Sequence, residues 1–500
     1  MSTLKTEEWV KQVIKQDEID KYLIDGKDFI DDNEIKEKLK TNRSSDKEYI
    51  RSIIKKSLSI NTLSPDETAT LLNLQDEEMW EELHAAAYEI KRRVYDNRIV
   101  FFAPLYCSNL CVNSCRYCGF RKENEDEVRR ILSMEEIEKE AEGILDSGNK
   151  RVMAVFGEHP TSDIDYICDS LKAIYKAKKA APRSGKDSYI RRVNVNAAPL
   201  STDDLKKLMD VGIGTYQVFQ ETYNKEMYKY MHPAGIKSDY RWRLYALHRA
   251  MDAGIDDIAI GALFGLYDWK YEMMGLLYHA IDLENRYGIG PHTISVPRLN
   301  VAAGSSISSD SGYLMSDEDF KKLVTIIRLS VPYTGLIVTA RETPEVRDSL
   351  IGNGYTQMDA SSKIGIGAYS KHSDTQEKEE QQFLLGDTRT LDECVYGLAQ
   401  NGIITSFCTA GYRCGRTGDK IMGLLKNCVE GKFCKLNAVL TYKEYLDDYA
   451  SDKTRELGEK LIEKEMEAIR EMPFYKDKNL LTTFERYYER ISQGESDIYI

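Results

Sequence analysis

Residues 104–120 read PLYCSNLCVNSCRYCGF, and four cysteines fall within the stretch: Cys107, Cys111, Cys115 and Cys118. The last three are separated by three and then two residues. A thiolate is a soft ligand suited to iron–sulfur clusters, and most [4Fe–4S] clusters take four of them. A tight loop carrying three leaves one iron open to chelate a small molecule through an amine and a carboxylate. Structural zinc wants four ligands in paired units, and no second unit stands nearby. A disulfide knot does not suit a 500-residue chain with no secretory signal. Cys107, outside the triplet, reads as a small buried hydrophobe.

The triplet follows an apolar, β-branched run, Ile99–Leu105. Similar runs recur at Arg151–Phe156, Val193–Ala197, Thr215–Phe219, Asp257–Phe264, Thr293–Val296, Gly335–Thr339 and Tyr355–Met358. Helical patterns such as Ser133–Ser147, Asp203–Val211, Ser238–Ala253, Lys270–Tyr287 and Asp317–Leu329 lie between them. Eight β–α alternations imply parallel strands with crossover helices, and a closed (β/α)8 barrel of the TIM type is the economical α/β solution. The expected division is a helical N-terminal extension over 1–97, the barrel over 98–370 and a mainly helical C-terminal domain over 371–500. Ser64-Pro65-Asp66-Glu67 reads as a helix start in the extension. The polar stretch Lys371–Gln382 reads as a surface loop leading out of the barrel.

Chemistry in such barrels gathers where the strands end. C-x3-C-x2-C, here at the end of the first strand, is the spacing by which radical S-adenosylmethionine (SAM) enzymes hold their cluster. Tyr117 fits the aromatic position of that motif. Gly157-Glu158 follows the second strand, where a SAM ammonium group needs a carboxylate. Asn196, Gln217, Glu221, Ser295, Arg298 and Arg341 stand at later strand ends. An arginine inside a barrel mouth must find an anion, and a substrate carboxylate is a natural one.

A net charge of −13 argues against a polyanionic partner such as nucleic acid. No apolar run approaches the ~20 residues needed to cross a bilayer, and the expected setting is the cytoplasm. A second cysteine group, Cys408, Cys414, Cys428 and Cys434, surrounds Gly415-Arg416-Thr417-Gly418-Asp419 and matches no common ligand spacing.

QVFQETY (217–223), MHPAGIKSDYRWRL (231–244), FGLYDW (264–269), GIGPHTISVPRLN (288–300), VPYTGLIVTARETPEVR (331–347) and CTAGYRCGRTGDK (408–420) complete the pattern begun at 104–120. Together these segments resemble the HydG family of radical SAM tyrosine lyases, the maturases of [FeFe]-hydrogenase. The resemblance implies a [4Fe–4S] cluster on Cys111, Cys115 and Cys118, with SAM on its open iron. Tyr117 and Phe120 would flank the adenosine, Glu158 would take the SAM amine, and Gly157, Asn196, Gln217 and Glu221 would border the cofactor. Arg341 would hold the carboxylate of L-tyrosine, Tyr106 would line the substrate site, and Ser295 and Arg298 would stand on the same side.

The implied reaction breaks the Cα–Cβ bond of tyrosine to give p-cresol and dehydroglycine. A second iron–sulfur cluster in the C-terminal domain then yields CO and cyanide. An electron donor such as flavodoxin or ferredoxin and other hydrogenase maturation proteins are the implied partners.

The family's second cluster uses C-x2-C-x22-C. Here Cys408 and Cys434 fill the first and third places, but the second is Gly411, which has no thiolate to offer. Either Cys414 or Cys428 substitutes through a rearranged loop, or the second cluster is altered or absent. The family also uses a histidine for an extra iron, with His279 and His292 as the candidates. Two other readings remain at this point. One is a paralogue that cleaves tyrosine or a related amino acid without forming CO and cyanide; the other is a non-enzymatic iron–sulfur carrier.

Overall fold

In the computed structural model, which describes residues 3–305, 307–371, 381–477 and 479–500, eight parallel strands close into the expected barrel. They are β1 (Arg98–Ser108), β2 (Arg151–Phe156), β3 (Arg192–Asn196), β4 (Tyr216–Gln217), β5 (Ile258–Gly261), β6 (Thr293–Ser295), β7 (Gly335–Ile337) and β8 (Gln357–Asp359). Each pairs with the next, and β8 closes on β1 through Val100↔Gln357, Phe101↔Met358 and Phe102↔Asp359. The middle of the Lys371–Gln382 stretch lies outside the described residues.

The length of β1 organises the molecule. All eleven of its residues are buried. Its upper part pairs with β2 from Ala103↔Val152 onward, and the register shifts between Tyr106 and Ser108. Cys107 is the extra residue of that bulge. Its carbonyl accepts from Leu132 N and from the Tyr166 hydroxyl at 3.2 Å, and its side chain is buried. The lower end of β1 pairs with a ninth strand, β9 (Ile404–Ser406), through Arg98↔Ile404, Ile99↔Thr405 and Val100↔Ser406. The chain beyond the barrel is thus stitched to its lower, N-terminal rim.

Strand alternation sends every second residue inward. Along β1 the inward series runs Arg98, Val100, Phe102, Pro104, Tyr106. The first two line a lower cavity and the last three an upper one. The same division splits β2 between Arg151 below and Met153 and Val155 above. Phe102, Met153 and Ile337 pack together as an apolar layer inside the barrel, with Val155 against them. Below that layer β1, β2 and β3 begin in Arg98, Arg151 and Arg192; above it β1 runs into the cysteine loop.

The N-terminal extension is helical throughout its regular structure, and its long helix Glu77–Tyr95 packs on the barrel helix Asp317–Ser330. Ser64 forms the capping box its sequence announces: its hydroxyl accepts from Glu67 N while the Glu67 carboxylate accepts from Ser64 N. The expected helix Ser238–Ala253 is instead broken into Tyr240–Leu244 and Ala246–Asp252. Across the break, the Arg249 guanidinium of the second piece donates to the Trp242 carbonyl of the first at 2.6 Å. A short antiparallel hairpin, Lys178–Ala180 with Asp187–Tyr189, adds an element the sequence reading lacks. At the lower rim Arg191 clasps Glu444 of the helix Glu430–Asp448, with 2.9 Å from Nη1 to Oε2. Among the described residues, no helix is long and apolar enough to cross a membrane.

Candidate active site

The cysteine loop is held over the upper cavity by backbone contacts. Val112 N donates to Glu158 O at 2.9 Å, Ser114 N to Ala234 O at 3.2 Å and Arg116 N to Met231 O at 3.0 Å. These contacts explain two glycines. A Cβ on Gly157 would stand 2.2 Å from Leu110 O, and one on Gly235, whose φ is +91°, 2.2 Å from Asn113 Oδ1. The loop can lie against the end of β2 only because neither side chain exists.

Cys111, Cys115 and Cys118 all face the cavity, with Tyr106, Tyr117, Phe120, Gly157, Glu158, Asn196, Gln217, Glu221, Ser295 and Arg341. Asn113 Nδ2 stands 3.6 Å from Cys111 Sγ and 2.5 Å from Glu158 Oε2, so one amide joins the cluster loop to the expected SAM-binding acid. Burial raises the Glu158 carboxyl above its ordinary range, opposed by Asn113 and by the cations Arg243 and Lys237. Burial also pushes up the carboxyl of Glu221, but Lys237 at 2.7 Å and Arg243 at 3.5 Å outweigh it and hold Glu221 below the usual value. Glu221 adopts φ +71°, a strained conformation for a residue with a side chain. Tyr117 is fixed by its hydroxyl, 2.9 Å from His232 Nε2. The Phe120 ring stands edge-on to Tyr106 at 5.9 Å.

Arg341 differs from every other arginine at this mouth. Its guanidinium lies 3.3 Å from the centre of the Phe383 ring and has no hydrogen-bond or ion-pair partner among the described residues. Burial pulls its pKa below the ordinary arginine value, opposed by Tyr106, Glu221, Cys118 and Glu342. Arg298 is not brought to the cavity. It pairs with Glu342, with Asp317 at 2.7 Å and with Met315 O at 3.0 Å, so its charge is already spent inside the protein.

Sequence reasoning missed Gln382. The end of the stretch read as a surface loop turns back into the mouth: Gly119 N donates to Gln382 O, and Gln381 is buried. The Gln382 side chain accepts from the Tyr106 hydroxyl at 3.1 Å and points its amide at Cys118 Sγ, 3.5 Å away. A polar residue outside any periodic pattern carries no sign that its amide is satisfied indoors. Lys237, Arg243 and Asp359 also line the cavity; the first two lie inside the segment 231–244, where only the motif itself was legible.

The cavity fits a cluster with SAM on this chain's own terms. Burial, with Cys118 and Glu158 beside it, pushes the Cys111 thiol up to about 11, a penalty that coordination to iron reverses. Gln217 Oε1 is buried in the wall without a partner among the described residues, an acceptor available to a ligand donor.

Below the apolar layer, Cys408 and Cys434 meet in the lower cavity with Gly411, Glu430 and His292. His292 Nδ1 is 2.8 Å from Asp257 Oδ1. Burial raises the Asp257 carboxyl, but His292 and Arg192 outweigh it and hold Asp257 far below the usual range. His279 lies elsewhere, bonded to the Tyr223 hydroxyl at 2.9 Å and stacked on His248. Cys414 is not brought in. It ends the 3₁₀ turn Tyr412–Cys414, while Gly411, at the start of that turn, faces the cavity. Cys428 stays outside the cavity as well. Among the described residues, no three His, Cys, Asp or Glu side chains converge as around one ion, in either cavity; a cluster, whose irons each take one thiolate, spreads its ligands apart.

The Radical SAM superfamily matches residues 105–280, and the Biotin and Thiamin Synthesis associated domain matches 295–404. The chain is similar to 2-iminoacetate synthase of Salmonella typhimurium, 29% identical over 352 residues, which are 70% of this chain and 88% of that one. It superposes on the crystal structure of HydG, a maturase of the [FeFe]-hydrogenase, with a TM-score of 0.88 and 45% identity over 95% of this chain and all of that one. The FeFe-hydrogenase maturase HydG from Carboxydothermus hydrogenoformans follows with 0.76 and 38%, over 95% of this chain and 99% of that one.

Proposed function

The chain belongs to the HydG family of radical SAM enzymes, and on that premise we propose that it cleaves the Cα–Cβ bond of L-tyrosine to p-cresol and dehydroglycine, with conversion of the fragment to CO and cyanide for [FeFe]-hydrogenase assembly. One observation carries the reading. A half-buried guanidinium with no hydrogen-bond or ion-pair partner among the described residues, Arg341, faces the same cavity as the cysteine triplet and Glu158. A guanidinium with no carboxylate paired to it, facing this cavity, calls for a substrate carboxylate.

When bound, the [4Fe–4S] cluster and SAM supply a 5′-deoxyadenosyl radical. The residues around them divide the remaining work. Cys111, Cys115 and Cys118 are the thiolates that would hold the cluster. Glu158, oriented by Asn113, is the acceptor for the SAM amine. Arg341 fixes the tyrosine carboxylate, and the Phe383 ring beneath it holds the guanidinium in place. Tyr106, tethered by Gln382, borders the space left for the substrate ring, with Ser295 across the cavity. Arg298, locked by Glu342 and Asp317, supports the wall from behind. The reading calls for a low-potential donor of the flavodoxin or ferredoxin type, for other maturation proteins downstream and for a cytoplasmic setting.

A second reading, tyrosine cleavage that stops at dehydroglycine as in a 2-iminoacetate synthase, is favoured by Gly411. Trapping of CO and cyanide during turnover with tyrosine, SAM and a reductant separates the two. Both gases formed alongside p-cresol supports the maturase reading; p-cresol with neither contradicts it.

A further inference from the structure

The lower cavity has a feature that the missing thiolate at Gly411 makes legible. A Cβ placed on Gly411 would have one side-chain atom within 4 Å, Glu430 Oε1 at 3.7 Å. The carboxylate of Glu430 is thus the side-chain group that stands beside position 411. We propose that Glu430 is a metal ligand, the oxygen donor that replaces the absent thiolate in an iron–sulfur site completed by Cys408 and Cys434.

Four observations support this. Glu430 is buried, 2% exposed, and its Oε2 has no hydrogen-bond partner among the described residues. An uncompensated carboxylate oxygen in an interior is costly unless something is meant to bind it. Glu430 and Cys434 stand one turn apart at the start of the helix Glu430–Asp448, on one face, with Cys434 Sγ 3.2 Å from Glu430 Oε1. Cys408, arriving from the end of β9, is held at φ +49°, a left-handed conformation that a non-glycine residue adopts at a cost and that marks functional positions.

The charge around the three donors points the same way. Arg98, Arg151, Arg192 and Arg416 converge on this cavity. Arg192 is paired with Asp257 at 2.5 Å, and Arg416 reaches Glu430 Oε1 at 3.3 Å. Arg151 has no hydrogen-bond or ion-pair partner among the described residues, its Nε is orphaned, and burial lowers its pKa to about 10. Arg98 Nε is orphaned too. Two thiolates and a carboxylate around an iron–sulfur core form an anionic assembly, and this cationic wall is complementary to it. Iron accepts oxygen donors, as carboxylate-bearing iron sites do. Glu430 can pair with Arg416 through one oxygen and offer the other.

The inference rests on the reading of the lower cavity as an iron–sulfur site, and its test separates the two. In a Cys111→Ser/Cys115→Ser/Cys118→Ser background the upper cluster is removed, and bound iron and sulfide report the lower site alone. After anaerobic reconstitution this protein should hold about four irons per chain with a reducible EPR signal. Adding Glu430→Gln should lower iron affinity by about 10–100-fold or more, with circular dichroism unchanged. Adding Gly411→Cys to that variant should restore the iron and alter the EPR signal, because a thiolate returns where the carboxylate stood. Iron content and signal unaffected by Glu430→Gln would overturn the ligand assignment alone. No iron in the background protein would overturn both it and the lower site, while leaving tyrosine cleavage by the wild type a separate measurement.

Discussion

Arg341 and Arg298 look alike in sequence, each just past the end of a barrel strand, yet the structure gives their removal opposite consequences. Arg341 has no hydrogen-bond or ion-pair partner among the described residues. In Arg341→Ala a substrate carboxylate loses two charge-assisted hydrogen bonds worth about 1.5–3 kcal/mol each, or about 3–6 kcal/mol together. At 1.4 kcal/mol per decade, KM for tyrosine should rise by about 10²–10⁴. Because no protein charge is orphaned, stability should hold. Arg298→Ala instead strands Glu342, whose side chain is 3% exposed, and breaking a buried pair from one side costs about 3–5 kcal/mol. Its effect should appear in urea unfolding, with KM little changed in the fraction that folds. The assay is p-cresol formation against tyrosine concentration, beside equilibrium unfolding of both variants. If Arg341→Ala leaves KM unchanged, or destabilises as much as Arg298→Ala, the assignment of the free guanidinium to the substrate is refuted.

Gln382→Ala should raise KM for tyrosine by about tenfold, the effect of about 1.4 kcal/mol from one lost hydrogen bond to Tyr106, and shift the EPR signal of the upper cluster through its contact with Cys118. His292→Ala should leave p-cresol formation intact while lowering CO and cyanide, since Phe102, Met153 and Ile337 separate its cavity from the upper one; equal loss of all three products would contradict that separation. Acid stability should report the clasp at the lower rim. Burial pushes the Glu444 carboxyl up, but Arg191 outweighs it and holds Glu444 at about 2, against 4.5 unperturbed. Its contribution is therefore complete above pH 4.5 and is lost as the pH falls from there toward 2. Glu444→Gln should flatten that acid limb in a urea titration, and an unchanged slope would remove the pair from the account.

The barrel was legible because its signals are local. Eight apolar runs, with helical patterns between them, identify all eight strands. The run Arg151–Phe156 matches its strand end to end, while others, such as Thr215–Phe219 against Tyr216–Gln217, are longer than the strand itself. The triplet was legible because ligand spacing within one loop is fixed by chain geometry. What escaped depends on long-range placement. Ile404–Ser406 is three residues long and becomes a strand only through the free lower edge of β1. Gln382 reaches the mouth because it is satisfied there, which no periodicity records. Arg298 and Arg341 separate only once Glu342 and Asp317 are seen beside one of them. At the lower site the sequence exposed the loss at Gly411, but a search limited to cysteines passed over Glu430, which matters by its distance to a side chain that is not there.

The central claim is that the upper cavity couples SAM cleavage to tyrosine. Reconstituted protein given SAM, dithionite and tyrosine should produce p-cresol and 5′-deoxyadenosine in step, both rising with tyrosine. Formation of 5′-deoxyadenosine that ignores tyrosine and yields no p-cresol would contradict it.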